Sequence, residues 1–309
     1  MAGAGTIVVQ QTTGGQFGEG RRMAYAVEQL LELIDLEPLE HNIYRGQHRD
    51  IGSGRVFGGQ VLAQALVAAR RTIDEDRAAH SLHGYFILPG ELRVPIVYFV
   101  DRLRDGRSFT TRRVTAIQNG HAIFELSASF HVQQDGPAHQ LPMPDVPPPE
   151  SLRPELELIR EHADRVPEPL RTVLTQDRPI DFRPVDPPDP FDPEPQPPVR
   201  QYWFRAVGAM PDSLIVHQAV LAYASDYGLL ATVLQPHGLS IRSPRIQVAS
   251  LDHALWLHRT FRVDDWMLFA MDSPAACGAR GFARGSIFTR DGVLVASVAQ
   301  EGLTRFVAR

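Results

Sequence analysis

The sequence of 309 residues holds one cysteine, Cys277. A lone thiol forms no intramolecular disulfide and no cysteine-rich metal site, and it fits a reducing compartment. Basic residues are also not in excess: 31 Lys and Arg stand against 36 Asp and Glu, for a net charge of −5. No broad basic surface follows, so nucleic acid is a poor partner. No apolar run approaches the roughly 18 residues needed to span a bilayer, which argues against membrane insertion. Residues 1–22 lack a basic start followed by an apolar core, so they read as a flexible tail and not as a secretory signal. The last residues are not a Ser-Lys-Leu address. The expected location is cytoplasmic.

Several reaction signatures are missing as well. Gly52-Ser53-Gly54 is too short for the Gly-x-Ser-x-Gly elbow of a serine hydrolase. No Gly-Lys-Ser/Thr follows a glycine-rich loop, and no His-Glu-x-x-His occurs. His217, His237, His253 and His258 match no zinc spacing, so no metal site is expected, and most of them read as structural or surface histidines.

What is present is organised twice. Of the 25 prolines, 18 fall between Pro137 and Pro198. Proline fixes φ and removes an amide donor, so residues 135–198 read as a connection, with one short helix in SLRPELELIREHA. It separates a first unit, 23–134, from a second, 199–309. Each unit has a nearly all-apolar helix, FGGQVLAQALVAARRTI or VHQAVLAYASDYGLLATVL, followed by strand-like stretches joined by turn pairs such as Asn119-Gly120 and Asp291-Gly292. A helix and an antiparallel meander used twice imply a duplicated α+β domain, a long helix wrapped by a curled sheet. MAYAVEQLLELIDL, ahead of the first unit, is amphipathic with an acidic polar face, and so docks on the domain instead of on a membrane.

Asp226 is the candidate for chemistry. It lies in an almost unbroken apolar stretch, where an ionised group is costly without partners. It either ends the helix and caps the next segment, or serves as a general base at the bottom of a cleft. Laid over one another by eye, the halves set Asp226 against Ala68, Ser250 against Ser81, Gln300 against Ala128 and Arg112 against Arg284. The asymmetry favours one site per chain, in the second unit.

RGQHRDIGSGRVFGGQVLAQAL, LHGYFILPG, VHQAVLAYASDYGLL, ASLDHALWLHR and DGVLVASVAQEG resemble, in order from Tyr44 to Gly302, blocks of the acyl-CoA thioesterase II family. The resemblance implies a tandem (double) hot-dog fold, two antiparallel sheets each wrapped around a central helix, and hydrolysis of fatty acyl-CoA to free fatty acid and CoA. It maps the catalytic trio onto Asp226, Ser250 and Gln300, with Ser where some members have Thr. Asp226 would take the water's proton, while Ser250 and Gln300 orient water and carboxylate. Gly59 and Gln60 are candidate oxyanion donors. Arg245, Arg280 and Arg284, with His253 and His258, are candidates for binding substrate. No cofactor is expected, because CoA is part of the substrate, and association into homo-oligomers is. Two other readings stand beside this one: a hot-dog hydratase or dehydratase using His253, and a non-catalytic acyl-CoA-binding module.

Overall fold

The computed structural model describes residues 19–307, apart from 53, 169, 188 and 190–192. Most of the tail, part of the proline run and Ser53 of the shortened glycine–serine motif therefore lie outside the described residues.

Helix α1 (Glu19–Ile34) places Ala26, Val27, Leu30, Leu33 and Ile34 on one face, and all five are buried against the domain. A hairpin follows, β1 (Glu37–Glu40) and β2 (Ile43–Gly46), turning at Asn42 with φ of 63°. Helix α2 (Gly58–Arg70) buries ten of its thirteen residues, so it can only sit inside the wrap of the sheet. Its two buried polar side chains are satisfied: Gln60 Nε2 donates to Gln47 O, Gln64 Nε2 donates to Leu33 O and Gln47 O, and the Tyr98 hydroxyl donates to Gln64 Oε1 at 2.6 Å. Strands β3 (Arg77–Phe86), β4 (Ile96–Asp105), β5 (Phe109–Gln118) and β6 (His121–Val132) complete the first wrap in the order β2-β4-β5-β6-β3.

The connection carries more structure than a bare spacer. Helices α3 (Glu155–Glu161) and α4 (Leu170–Thr175) pack on each other through Ile159, Val166 and Leu174. Strand β7 (Ile180–Pro184) adds at the sheet edge, one of the places in a sheet that tolerate a proline.

The second wrap is built from β8 (Val199–Ala206), α5 (Leu214–Ser225), α6 (Leu229–Leu234), β9 (Ile246–Ser250), β10 (Asp252–Leu257), β11 (Met267–Cys277), β12 (Arg280–Thr289) and β13 (Leu294–Phe306). Its order is β10-β13-β12-β11-β8-β7, with β9 paired to β13. Strands β3 and β10 pair antiparallel, Leu82 opposite Leu255, which joins the two wraps edge to edge. Among the described residues this makes a thirteen-stranded antiparallel sheet curled around α2 and α5, a tandem hot-dog fold. No described helix is long and apolar enough to cross a membrane.

The structure corrects two expectations. The second apolar stretch is two helices, because Gly228 takes a left-handed φ of 86° that ends α5 beside Asp226. The overlay of the halves also shifts. Gln300 pairs with Ala283 across β13–β12, and Ala128 pairs with Arg112 across β6–β5. The counterpart of buried Arg112 is therefore buried Ala283, since the pleat turns neighbouring Arg284 outward. Likewise, a bulge between Ala79 and Ser81 matches the break between β9 and β10, so Ala79, not Ser81, stands opposite Ser250.

Helices α2 and α5 run antiparallel and touch at Gly59, where a Cβ would lie 2.3 Å from the Tyr223 carbonyl oxygen. Backbone cannot rotate away as a side chain can. Gly59→Ala is expected to lower stability by about 1–3 kcal/mol, the usual cost of overpacking, read as a shifted denaturant midpoint; an unchanged midpoint would refute the close contact.

Candidate active site

Asp226 is the first residue after α5, where the end of that helix meets the start of α2. Its side chain is 5% exposed. The Gly59 N–H, at the positive end of α2, donates to Oδ2 at 2.9 Å, and Gln300 Nε2 donates to Oδ1 at 2.6 Å. A Cβ at Gly58 would lie 2.7 Å from Oδ2, so the paired glycines let the carboxylate reach the helix start. Asp226 thus ends its own helix, and its carboxylate is held from both halves of the chain.

Gln300 points inward from β13 and is 1% exposed. Its Nε2 also lies 3.2 Å from Ser250 Oγ and 3.3 Å from His253 Nδ1. Ser250 ends β9; at Leu251 the chain crosses to β10, where Leu251 N–H bonds Glu301 O and Leu251 O accepts from Phe86 N–H. The break that links the two wraps therefore also delivers the hydroxyl.

Burial pushes the Asp226 carboxyl up to about 6, and the hydrogen bonds from Gln300 and Gly59 oppose that rise. Burial pushes His253 down to about 3, leaving a neutral imidazole 3.8 Å from Asp226 Oδ1. Asp226 and Ser250 open onto a cavity of about 1320 Å³. Both halves line it, through Phe57, Gly58 and Phe86 on one side and Tyr223 and Tyr227 on the other. The connection covers it with Leu158, Val166, Leu170, Val173 and Leu174.

The other candidates fare differently. Gly59 N–H is occupied by Asp226, and Gln60 N–H bonds Phe57 O at 3.1 Å, so neither is a spare oxyanion donor. His253 sits behind Gln300 and does not line the cavity. His258, at the far end of β10, is exposed and bonded to Ser297 Oγ. Arg280 and Arg284 point outward from β12 to Glu301 and Asp272, because alternation turns Gly281 and Ala283 inward. Arg245 is exposed just ahead of β9 and does not line the cavity. The arginines that do are Arg49, Arg55, Arg165, Arg178, Arg200 and Arg242. They lie mostly in loops and the connection, where no periodicity marks them.

This arrangement can hold a water molecule between a buried carboxylate and a hydroxyl beside a large apolar cavity. The family model described as Acyl-CoA thioesterase matches residues 171–303, and that described as Acyl-CoA thioesterase N-terminal domain matches 45–131. Acyl-CoA thioesterase 2 of Haemophilus influenzae is 40% identical over 284 residues, covering 92% of this chain and 99% of that protein. The chain belongs to the acyl-CoA thioesterase II family. Acyl-coenzyme A thioesterase 8 of Mus musculus is 43% identical and covers 88% of each chain. The crystal structure of acyl-CoA thioesterase II TesB2 from Mycobacterium marinum superposes with a TM-score of 0.74 at 42% identity, over 90% of this chain and 99% of that one.

In this thioesterase fold Gln300 supplies the hydrogen bond that holds the Asp226 pKa down. Gln300→Leu is therefore expected to move the Asp226 titration above about 6. Carboxyl ¹³C shifts followed against pH would show it, and an unmoved midpoint would mean that Gln300 does not reach the carboxylate.

Proposed function

We propose that Asp226, Ser250 and Gln300 together hydrolyse fatty acyl-CoA to free fatty acid and CoA. The class of reaction, acyl-CoA thioester hydrolysis, follows from the family, and the geometry supports the roles of the residues. The observation that supports the roles is a buried carboxylate on the wall of the cavity, joined through Gln300 to a hydroxyl on the same wall.

One Gln300 Nε2 hydrogen goes to Asp226 and the second is shared between Ser250 Oγ and His253 Nδ1, so Ser250 accepts from the carboxamide and keeps its own O–H for the cavity. A water held by Ser250 and Asp226 loses its proton to Asp226 as its oxygen bonds to the thioester carbonyl carbon. The tetrahedral oxyanion collapses, the C–S bond breaks, and the proton on Asp226 passes to the departing CoA sulfur. The positive end of α2 favours negative charge at this place throughout. The reaction uses no cofactor, as CoA leaves as product. A hydratase would need an imidazole facing substrate, whereas His253 lies behind Gln300.

The apolar residues of α3 and α4 supply the wall for the acyl chain. Val173→Trp fills part of that space, and is expected to depress kcat/KM for long acyl-CoA far more than for short. Equal losses across chain lengths would move the acyl chain elsewhere.

A base must be ionised to act, so kcat/KM is expected to rise with pH through about 6. Asp226→Asn keeps size but cannot take a proton, and kcat should fall by about 10²–10⁴; free-thiol release at the wild-type rate would end the assignment. Stability gives a second reading. The folded-state pKa of Asp226 is raised, so its stabilising contribution is present at low pH and is lost as pH rises through about 6. Between pH 5 and 7.5 the wild type should lose about 1 kcal/mol relative to Asp226→Asn, measurable by denaturant unfolding at both pH values.

A further inference from the structure

We propose that His253 is the positioning residue for Gln300, its Nδ1 lone pair holding the carboxamide with the NH₂ group, and not the oxygen, toward Asp226. The inference rests on Asp226 being the base.

A count of hydrogens assigns the imidazole. Ser225 Oγ lies 2.9 Å from Ala222 O and 2.9 Å from His253 Nε2. A carbonyl can only accept, so the Ser225 hydroxyl donates to Ala222 and accepts from His253. The imidazole proton is then on Nε2, and Nδ1 carries the lone pair. That lone pair faces Gln300 Nε2 at 3.3 Å and shares with Ser250 Oγ, at 3.2 Å, the hydrogen that Asp226 does not take; Asp226 Oδ1 lies 3.8 Å from Nδ1. His253 is 1% exposed, and burial keeps it neutral, so Nδ1 stays an acceptor.

The need for such a hold lies in the amide itself. Gln300 Oε1 is buried with no hydrogen-bond partner among the described residues, which is unfavourable for a buried acceptor. While Asp226 is ionised, a flip of the amide is forbidden, for it would set Oε1 against the carboxylate oxygen now 2.6 Å from Nε2. Once Asp226 has taken the water's proton, that barrier disappears. A flipped Oε1 could then accept from the Asp226 carboxyl O–H, gain its missing partner and trap the proton. The Nδ1 lone pair opposes that flip, so the proton remains available to the leaving sulfur.

Position in the sheet points the same way. One step from the Ala254–Ala299 pair, His253 stands directly across the ladder from Gln300. In the first half the corresponding pair is Leu82 and Ala128. The imidazole is present where the carboxamide is, and aliphatic where the carboxamide is a methyl.

Three measurements on the full chain test this. ¹⁵N shifts of the wild-type His253 ring should show the proton on Nε2; a proton on Nδ1 overturns the proposal without reference to turnover. His253→Leu should lower kcat by at least about ten-fold, the factor that one lost hydrogen bond gives. KM for acyl-CoA should stay within about two-fold, and the acidic limb of the rate should rise above its wild-type position as Gln300 releases Asp226. His253→Asn, whose Oδ1 can stand where Nδ1 stood, should recover most of kcat and return the limb. Wild-type rate and limb in His253→Leu, or no recovery in His253→Asn, would overturn it. Should His253→Leu not fold, the ring shifts and His253→Asn decide. Failure of the base assignment shows separately, as an active Asp226→Asn variant with the His253 tautomer unchanged.

Discussion

One buried carboxylate at the meeting point of two antiparallel helices sets the terms for the rest of this molecule. Asp226 stands at the C-terminal end of α5, where the helix dipole disfavours negative charge, and is rescued by the N-terminal end of α2. The rescue works only if the helices approach closely enough for Gly59 N–H to reach Oδ2 at 2.9 Å. That approach needs bare Cα atoms at Gly58 and Gly59, and it needs β3 and β10 paired in register so that the two wraps share one floor. The site therefore belongs to the docking of the halves, although its polar side chains come from one of them.

The opposite pole shows what the same framework becomes without a reaction. In the first half the inward positions are Ala79, Leu82 and Ala128, where the second has Ser250, His253 and Gln300. The space is filled by Arg112, whose Nε donates to Thr72 Oγ1 at 2.8 Å and whose Nη2 donates to Thr72 O at 3.1 Å. In the second half the place of Arg112 is taken by Ala283, which leaves room beside Gln300. A guanidinium that donates to the turn after α2 and a carboxamide that donates to Asp226 after α5 are two solutions to one packing problem. The first is fully satisfied and closed. The second leaves a carboxylate, a hydroxyl and a neutral imidazole beside a cavity.

Much of this was readable from pattern, for physical reasons. A nearly all-apolar helix has to lie inside a sheet, and period-two alternation between Asn-Gly and Asp-Gly turns has to be a meander, so the architecture follows from residue type alone. Asp226 stood out because a charge in an apolar stretch demands partners. The family blocks supplied Ser250 and Gln300, and the geometry brings them to Asp226. What could not be read was anything set by register. One bulge at His80 exchanges Ser81 for Ala79 as the counterpart of Ser250, and one pleat step turns Arg284 out and Arg112 in. Gly228 could not be told from other helix glycines until its φ of 86° showed where α5 stops. The cavity arginines were hidden because loops carry no period, and Gly59 was read as a free donor because its acceptor lies 167 residues away.

The proline-rich connection does more than join the halves. Among its described residues only β7 enters the sheet, at the edge, while α3 and α4 contribute to the lining of the cavity. Apolar side chains from those helices line the same cavity as Asp226, and it is burial that lifts the Asp226 pKa. Gln300 and Gly59 pull the other way. A stronger pull would give a carboxylate ionised well below neutral pH but too weak a base to take a proton from water. A drier site would give a carboxylic acid with no base at all at neutral pH. A value of about 6 lies between these limits and suits the base proposed above, a group mostly ionised at pH 7 yet basic enough to share a proton in a transition state. Because a thioester is already activated, such a base suffices, and the hydrogen bonds that set its strength also set its position.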